Sequence, residues 1–194
     1  MSILSDAFSG KICVVFLNSL IGILYISTQR RIKFCQCPER TFLQFSKTEH
    51  LKNTQIKKRF HEMIKNSQKE ICIISPWVGK YSEETLSFLK SAAQRGVQIK
   101  IIYGYTDNIS NERERNSEQW IERYKHELGK MLTLKRGNTH VKLSICDETT
   151  YLSGSYNLLS SANGYIQKAS DEYMLYEENR QEAKKLRQEF FGDM

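Results

Sequence analysis

The stretch THVKLSICDETTYLSGSYN, residues 139–157, gathers His140, Lys142, Ser155 and Asn157 into two extended segments joined by a turn. These types suit work on a phosphate. A neutral imidazole can attack phosphorus near neutral pH, because its ordinary pKa lies near ~6.5. An ammonium and an amide can donate to the non-bridging oxygens while charge redistributes. Side chains at i and i+2 of a strand share a face, so His140, Lys142 and Ser144 fall together, with Val141, Leu143 and Ile145 opposite. Asp147-Glu148-Thr149 reads as the turn and Thr150 to Ser155 as the returning strand. The plainer reading is an antiparallel hairpin with its polar face in water, but that leaves the choice of polar groups unexplained.

The elements around this hairpin follow from periodicity. Residues 50–68 place Ile56, Phe60, Met63 and Ile64 at helical spacing among Lys57, Lys58, Arg59 and Lys65, which predicts a basic amphipathic helix. EICIISPWV (70–78) is a buried strand ended by Pro76. Ser82 opens a helix to about Arg95, with Leu86, Leu89 and Ala93 inward and Gly96 as its stop. VQIKIIYG (97–104) is the next strand, which completes a βαβ unit with a parallel pair. Residues 105–130 are heavily charged and predict a helix from about Ser117, either a solvated helix or a substrate-side lid. EYMLYE (172–177) is a further strand. A closing helix carries Ala183, Leu186 and Phe190 on one face.

The chain has 194 residues, 40% of them hydrophobic and 26% charged, with a formal charge of +7. That fits one full domain with an appendage, read as residues 1–45 and 46–194. A basic balance favours polyanionic partners, nucleic acid or anionic lipid, without specifying chemistry. Five cysteines, Cys13, Cys35, Cys37, Cys72 and Cys146, form no disulfide framework and fit a reducing compartment. Cys72 and Cys146 read as buried free thiols. Cys35 and Cys37 with His50 or His61 would make half a zinc site, though at no common spacing. His50, His61 and His126 read as solvated, and Trp77 and Trp120 as core or helix-packing residues. ICVVFLNSLIGILYIS (12–27) is the most apolar run, short of the ~20 residues of a bilayer span. With Arg30, Arg31 and Lys33 behind it, it reads either as an anchor with the bulk of the chain on the cytoplasmic side or as buried strands or a core helix.

His140-x-Lys142-x4-Asp147, followed by Gly154-Ser155-Tyr156-Asn157 and by Glu172 ahead of an apolar strand, resembles the signature of the phospholipase D superfamily. The βαβ pattern upstream resembles its first unit, and the likeness covers roughly residues 48–192. It implies a mixed, partly parallel α/β sheet flanked by helices on both faces. With a single copy of the motif, the chain resembles the small bacterial nuclease-type members that pair as homodimers through the catalytic face.

The resemblance implies a role for each residue. His140 would form a phosphohistidine while His140 of a second copy protonates the leaving group. Lys142, Asn157 and Ser155 would bind the phosphate oxygens. Glu172, with Asp171 adjacent as the other choice, would orient the His140 ring. Asp147 and Gly154 would shape the hairpin. No metal or other cofactor is implied. Lys57, Lys58 and Arg59 are candidates for substrate phosphates. Three readings stay open: a nuclease acting on DNA or RNA, a phospholipid-cleaving or phosphatidyl-transferring enzyme, and a non-catalytic module of the same fold.

Overall fold

The computed structural model describes residues 47–105, 111–160 and 171–194, together with strand residues 5–6, 12–17, 20–26 and 32–34. The chain divides into two compact units, Met1–Leu43 and Gln44–Met194. In the first unit β1 (Ser5–Asp6), β2 (Ile12–Leu17), β3 (Leu20–Ile26) and β4 (Ile32–Phe34) form an antiparallel sheet in that order. The apolar run is therefore extended where it is described. Among the described residues no helix is long and apolar enough to cross a membrane. Cys35 and Cys37 lie outside the described residues. Among those described, no group of His, Cys, Asp or Glu side chains is placed to hold a metal ion.

The second unit runs β5 (Lys47–Lys52), α1 (Thr54–Asn66), β6 (Glu70–Ser75), α2 (Glu83–Gln94), β7 (Gln98–Tyr103), α3 (Asn111–Leu128), β8 (Leu132–Arg136), β9 (Leu143–Cys146), β10 (Thr150–Gly154), β11 (Tyr173–Glu178) and α4 (Arg180–Phe191). Its seven strands are ordered β5-β11-β10-β9-β6-β7-β8. β6, β7 and β8 are parallel, and the remaining pairings are antiparallel. Strands covered on both faces need apolar residues at successive positions, which Ile71 to Ile74 supply. Ile71, Ile73, Ile99, Ile101 and Leu152 pack with Phe60 and Ile64 of α1, Leu89 of α2 and Tyr124 of α3. Cys72, Ile74, Leu143 and Ile145 pack with Ala183 and Phe191 of α4 on the other face. This mixed, partly parallel sheet between helices is the architecture that the family resemblance implies.

Local chemistry explains the ends. α2 stops in a Schellman motif: Gly96 takes φ 89° and donates to the Ala93 carbonyl at 2.9 Å, while the Val97 amide donates to Ala92 at 3.1 Å. α4 is capped by Asn179, whose Oδ1 accepts from the Glu182 amide at 3.1 Å.

Several expectations need correcting. The helix expected at 50–68 is preceded by edge strand β5 and begins only at Thr54, because Leu51 pairs with Met174 in the sheet. β8 was not foreseen, since LTLKR is short and half-polar at a sheet edge. α3 is no lid where its side chains are described, because Ile121, Tyr124 and Leu128 are buried in the core. The polar face of the hairpin is only partly in water, because Lys142 and Ser144 are buried while His140 is exposed.

His61 is not solvated. It is buried with its Nε2 3.0 Å from Thr85 Oγ1 and its ring 4.3 Å from that of Phe88. Burial pushes its pKa down to about 4, against a weaker pull upward from Glu84. Cys72 and Cys146 are free and buried, and burial pushes the Cys146 thiol up to about 12.

Glu70 fastens α4 to the sheet. Arg187 donates to its carboxylate from Nε at 3.0 Å and from Nη2 at 3.2 Å, and Lys100 pairs with it too. Burial raises the Glu70 pKa, but Arg187, Lys100 and Cys72 together outweigh it and hold the group at about 2. Both depressed groups remove stability in acid, because the unfolded chain binds their protons first. His61 acts as pH falls from 6.5 to about 4 and Glu70 from 4.5 to about 2. Chemical denaturation measured across pH should therefore show stability declining through both windows, with Glu70→Gln flattening the lower and His61→Gln the upper.

Candidate active site

The candidate residues converge at the carboxyl ends of β6 and β7. His140 and Lys142 lie in an extended lead-in rather than in a strand, because β9 begins only at Leu143. Two backbone bonds tie this lead-in to the end of β7. The Gly137 amide donates to the Tyr103 carbonyl at 2.7 Å and the Thr139 amide to the Gly104 carbonyl at 3.1 Å. Gly104 permits the approach. It has φ 101°, and a Cβ there would sit 2.8 Å from the Gly137 carbonyl oxygen.

The His140 side chain is exposed, whereas Lys142 is only 8% exposed. Lys142 Nζ lies 2.9 Å from Nδ1 and 3.0 Å from Nε2 of His140, and donates to the His140 carbonyl at 2.7 Å. Burial lowers the pKa of Lys142, opposed by the Glu172 carboxylate. The Tyr105 ring packs against that of His140 at 4.9 Å.

Ser155 and Glu172 close the opposite side. Ser155 Oγ donates to Glu172 Oε2 and accepts from the Tyr173 amide at 3.0 Å. Gly154 allows β10 this close to β11, since a Cβ would strike the Tyr173 carbonyl oxygen and lie 2.8 Å from Met174 Cα. Asn157 is half-buried, and its Oδ1 is buried with no hydrogen-bond partner among the described residues. Glu172 thus faces Ser155 and acts on Lys142, while Asp171 accepts from Asn53 Nδ2 at 3.3 Å. Lys142 Nζ, nearly equidistant from the two nitrogens of His140, lies over the face of that ring, and the Glu172 carboxylate is engaged by Ser155 rather than by the ring.

Asp147 is turned away from this group. Its carboxylate accepts from the amides of Gln68 and Lys69 at 2.8 Å and of Glu70 at 3.0 Å. These bonds hold a tight turn in which Asp147 and Glu148 take φ 53° and 54°. The basic stretch of α1 is partly spent on structure. Lys57 pairs with Glu84 at 2.7 Å, and Arg59 with Glu49 at 2.6 Å and Glu62 at 3.0 Å, while Lys58 is exposed.

Two features carry no motif. Asn53, at φ 48°, accepts from the Glu172 amide at 3.0 Å through Oδ1 and so fixes the acidic segment. Tyr105 lies against His140, and Trp77 meets Tyr105 edge-on at 6.1 Å. Their positions just past the ends of parallel strands, where such sheets take ligands, were the available signal.

A family model described as "Cardiolipin synthase, PLD-like domain" matches residues 60–194. The search of curated proteins returns no match. Among solved structures, the phospholipase D family member Nuc from Salmonella typhimurium is similar with TM-score 0.57 and 16% identity, covering 74% of this chain and 91% of Nuc. NucT from Helicobacter pylori gives 0.56 and 18%, covering 74% and 92%. TrmBL2, an archaeal chromatin protein with a novel mode of DNA binding, gives 0.51 and 19%, covering 76% of this chain and 52% of its own. At these identities the likeness is one of fold.

The opposing effects of burial and Glu172 on Lys142 are directly measurable. In a side-chain NMR titration, Lys142 should lose its proton below the ordinary 10.5. Glu172→Gln should move that midpoint lower still, because it removes the charge that opposes burial.

Proposed function

The chain belongs to the phospholipase D-like family, and from that premise we propose that it is a metal-independent phosphodiesterase that cleaves nucleic acid with little sequence preference. The observation that carries the reading is an exposed imidazole standing over a desolvated ammonium. A phosphodiester placed there meets a nucleophile and donors for its charge at one point.

In the proposed reaction a His140 ring nitrogen attacks phosphorus. The N–P bond forms as the P–O bond to the leaving oxygen breaks, and that oxygen takes a proton from His140 of a second copy. The second His140, now neutral, removes a proton from water. Hydroxide then breaks the N–P bond and releases the free phosphoryl end, restoring both rings. Lys142 and the Asn157 amide hold the non-bridging oxygens, which also stabilise one imidazolium beside one neutral ring. Ser155 binds more weakly, through its hydroxyl. Glu172 acts as the positioning acid, through Ser155 and its field on Lys142 in the single subunit and on the His140 ring once the site is filled. The pairing of two single-motif chains through the catalytic face supplies the acid that one chain lacks.

The choice of nucleic acid is supported by the +7 charge and by likeness in fold to a DNA-binding chromatin protein. Phosphatidyl transfer or hydrolysis is the second reading. It is favoured by the description of the matching family model and by the apolar sequence of β2 and β3, which could tether the chain to an anionic membrane.

Purified protein in EDTA should cleave plasmid or single-stranded RNA, and His140→Ala should abolish this by about 10⁴-fold or more. Lys142→Met should cost about 10²–10³-fold, as expected for losing one donor to a developing charge. Light scattering should give a dimer. Turnover confined to phospholipid vesicles would move the second reading ahead, and a fully active monomer would refute the shared site.

A further inference from the structure

Two aromatic side chains at the rim of the site have no part in the reaction described above. Trp77 follows β6 after Pro76, and Tyr105 follows β7 after Gly104. Both are half-buried, unlike the core aromatics Phe60 and Tyr124. Trp120, by contrast, packs on the core beneath Arg123 and offers no such platform.

Hydrogen bonds tie the backbone of the rim to the strand ends. Ser75 Oγ donates to the Trp77 carbonyl at 2.9 Å and accepts from the Leu159 amide at 3.3 Å, in the turn that follows Asn157. The Gly104 amide donates to the Pro76 carbonyl at 3.1 Å. The backbone that carries the two aromatics is therefore bonded to the ends of β6 and β7, with Tyr105 against the imidazole and Trp77 one ring contact further out.

We propose that Trp77 and Tyr105 form a base-stacking subsite for an unpaired nucleobase next to the scissile phosphate, so that the preferred substrate is single-stranded nucleic acid. This rests on the phosphodiesterase reading and narrows its substrate. Aromatic faces take any base, which agrees with low sequence preference. In a duplex the bases are paired and stacked inside, so a ring this near the attacking nitrogen is filled only when a base leaves the stack. A single strand presents its bases without that cost.

Trp77 meets Tyr105 and not His140, so replacing it retains both members of the Tyr105–His140 ring contact, and the abasic strand reports any loss passed on to the nucleophile. Trp77→Ala, Trp77→Leu and Trp77→Tyr would be assayed at steady state. The substrates are a single-stranded oligonucleotide, the same strand made abasic beside the cleaved bond, and the duplex. Leu keeps apolar bulk without a ring, so it serves should Ala not fold. Wild type is expected to prefer the intact single strand. Trp77→Ala and Trp77→Leu should lower kcat/KM on it by about 10-fold or more, leave the abasic strand within about 2-fold, and be largely rescued by Trp77→Tyr. Equal losses on intact and abasic strands, or none on either, would overturn the subsite. Wild-type enzyme that turns over vesicles but no oligonucleotide would instead overturn the nucleic-acid reading beneath it, a result of distinct form.

Discussion

Lys142 is a buried cation whose nearest partners are not carboxylates but a carbonyl and an imidazole. Desolvating an ammonium is costly, and its pKa is lowered accordingly. The Glu172 charge offsets only part of that cost. On the proposed reading, an anion arriving at His140 would offset the rest. A guest that carries negative charge on several oxygens suits such a site on that reading.

The site is built on close approaches. β9 continues directly from Lys142 into a strand buried on both faces, so the backbone that carries the lysine is anchored by Leu143 and Ile145 in one core and by Cys146 in the other. Gly104 lets the His140 lead-in rest on the end of β7, and Gly154 lets Ser155 reach β11. Asp147, far from the chemistry, secures the hairpin by taking three amides at the start of β6. A carboxylate that belongs to the signature therefore acts on the backbone rather than on the reacting group.

Much of this was legible from spacing. β6, α2 and β7 show the periods of buried strand and amphipathic helix, and Gly96 marks the end of α2. Register sets β10 between β9 and β11 and so brings Ser155 to Glu172, while the lead-in that carries His140 is tied to the end of β7 and the turn after Asn157 to the end of β6. What the sequence hid was governed by tertiary pairing. β5 is polar and short, and is a strand only because β11 offers it a partner. His61 looks like a surface residue of a charged helix, yet the meeting of α1 with α2 buries it. The ion pairs that occupy Lys57 and Arg59 come from Glu84 and Glu49, which no local pattern connects to them. Tyr105 and Trp77 carry no motif, and their nearness to His140 follows from where two parallel strands end.

The central claim is covalent: one imidazole accepts the phosphoryl group while the buried ammonium steadies its charge. Rapid denaturing quench during turnover, followed by ³¹P NMR and peptide mass analysis, examines it most directly. The account predicts a phosphoryl adduct on His140 that is labile to acid and stable to base. It also predicts that the adduct is formed in EDTA and is absent from His140→Ala. Turnover with no adduct under any quench, or an adduct carried by Ser155 instead, would contradict it.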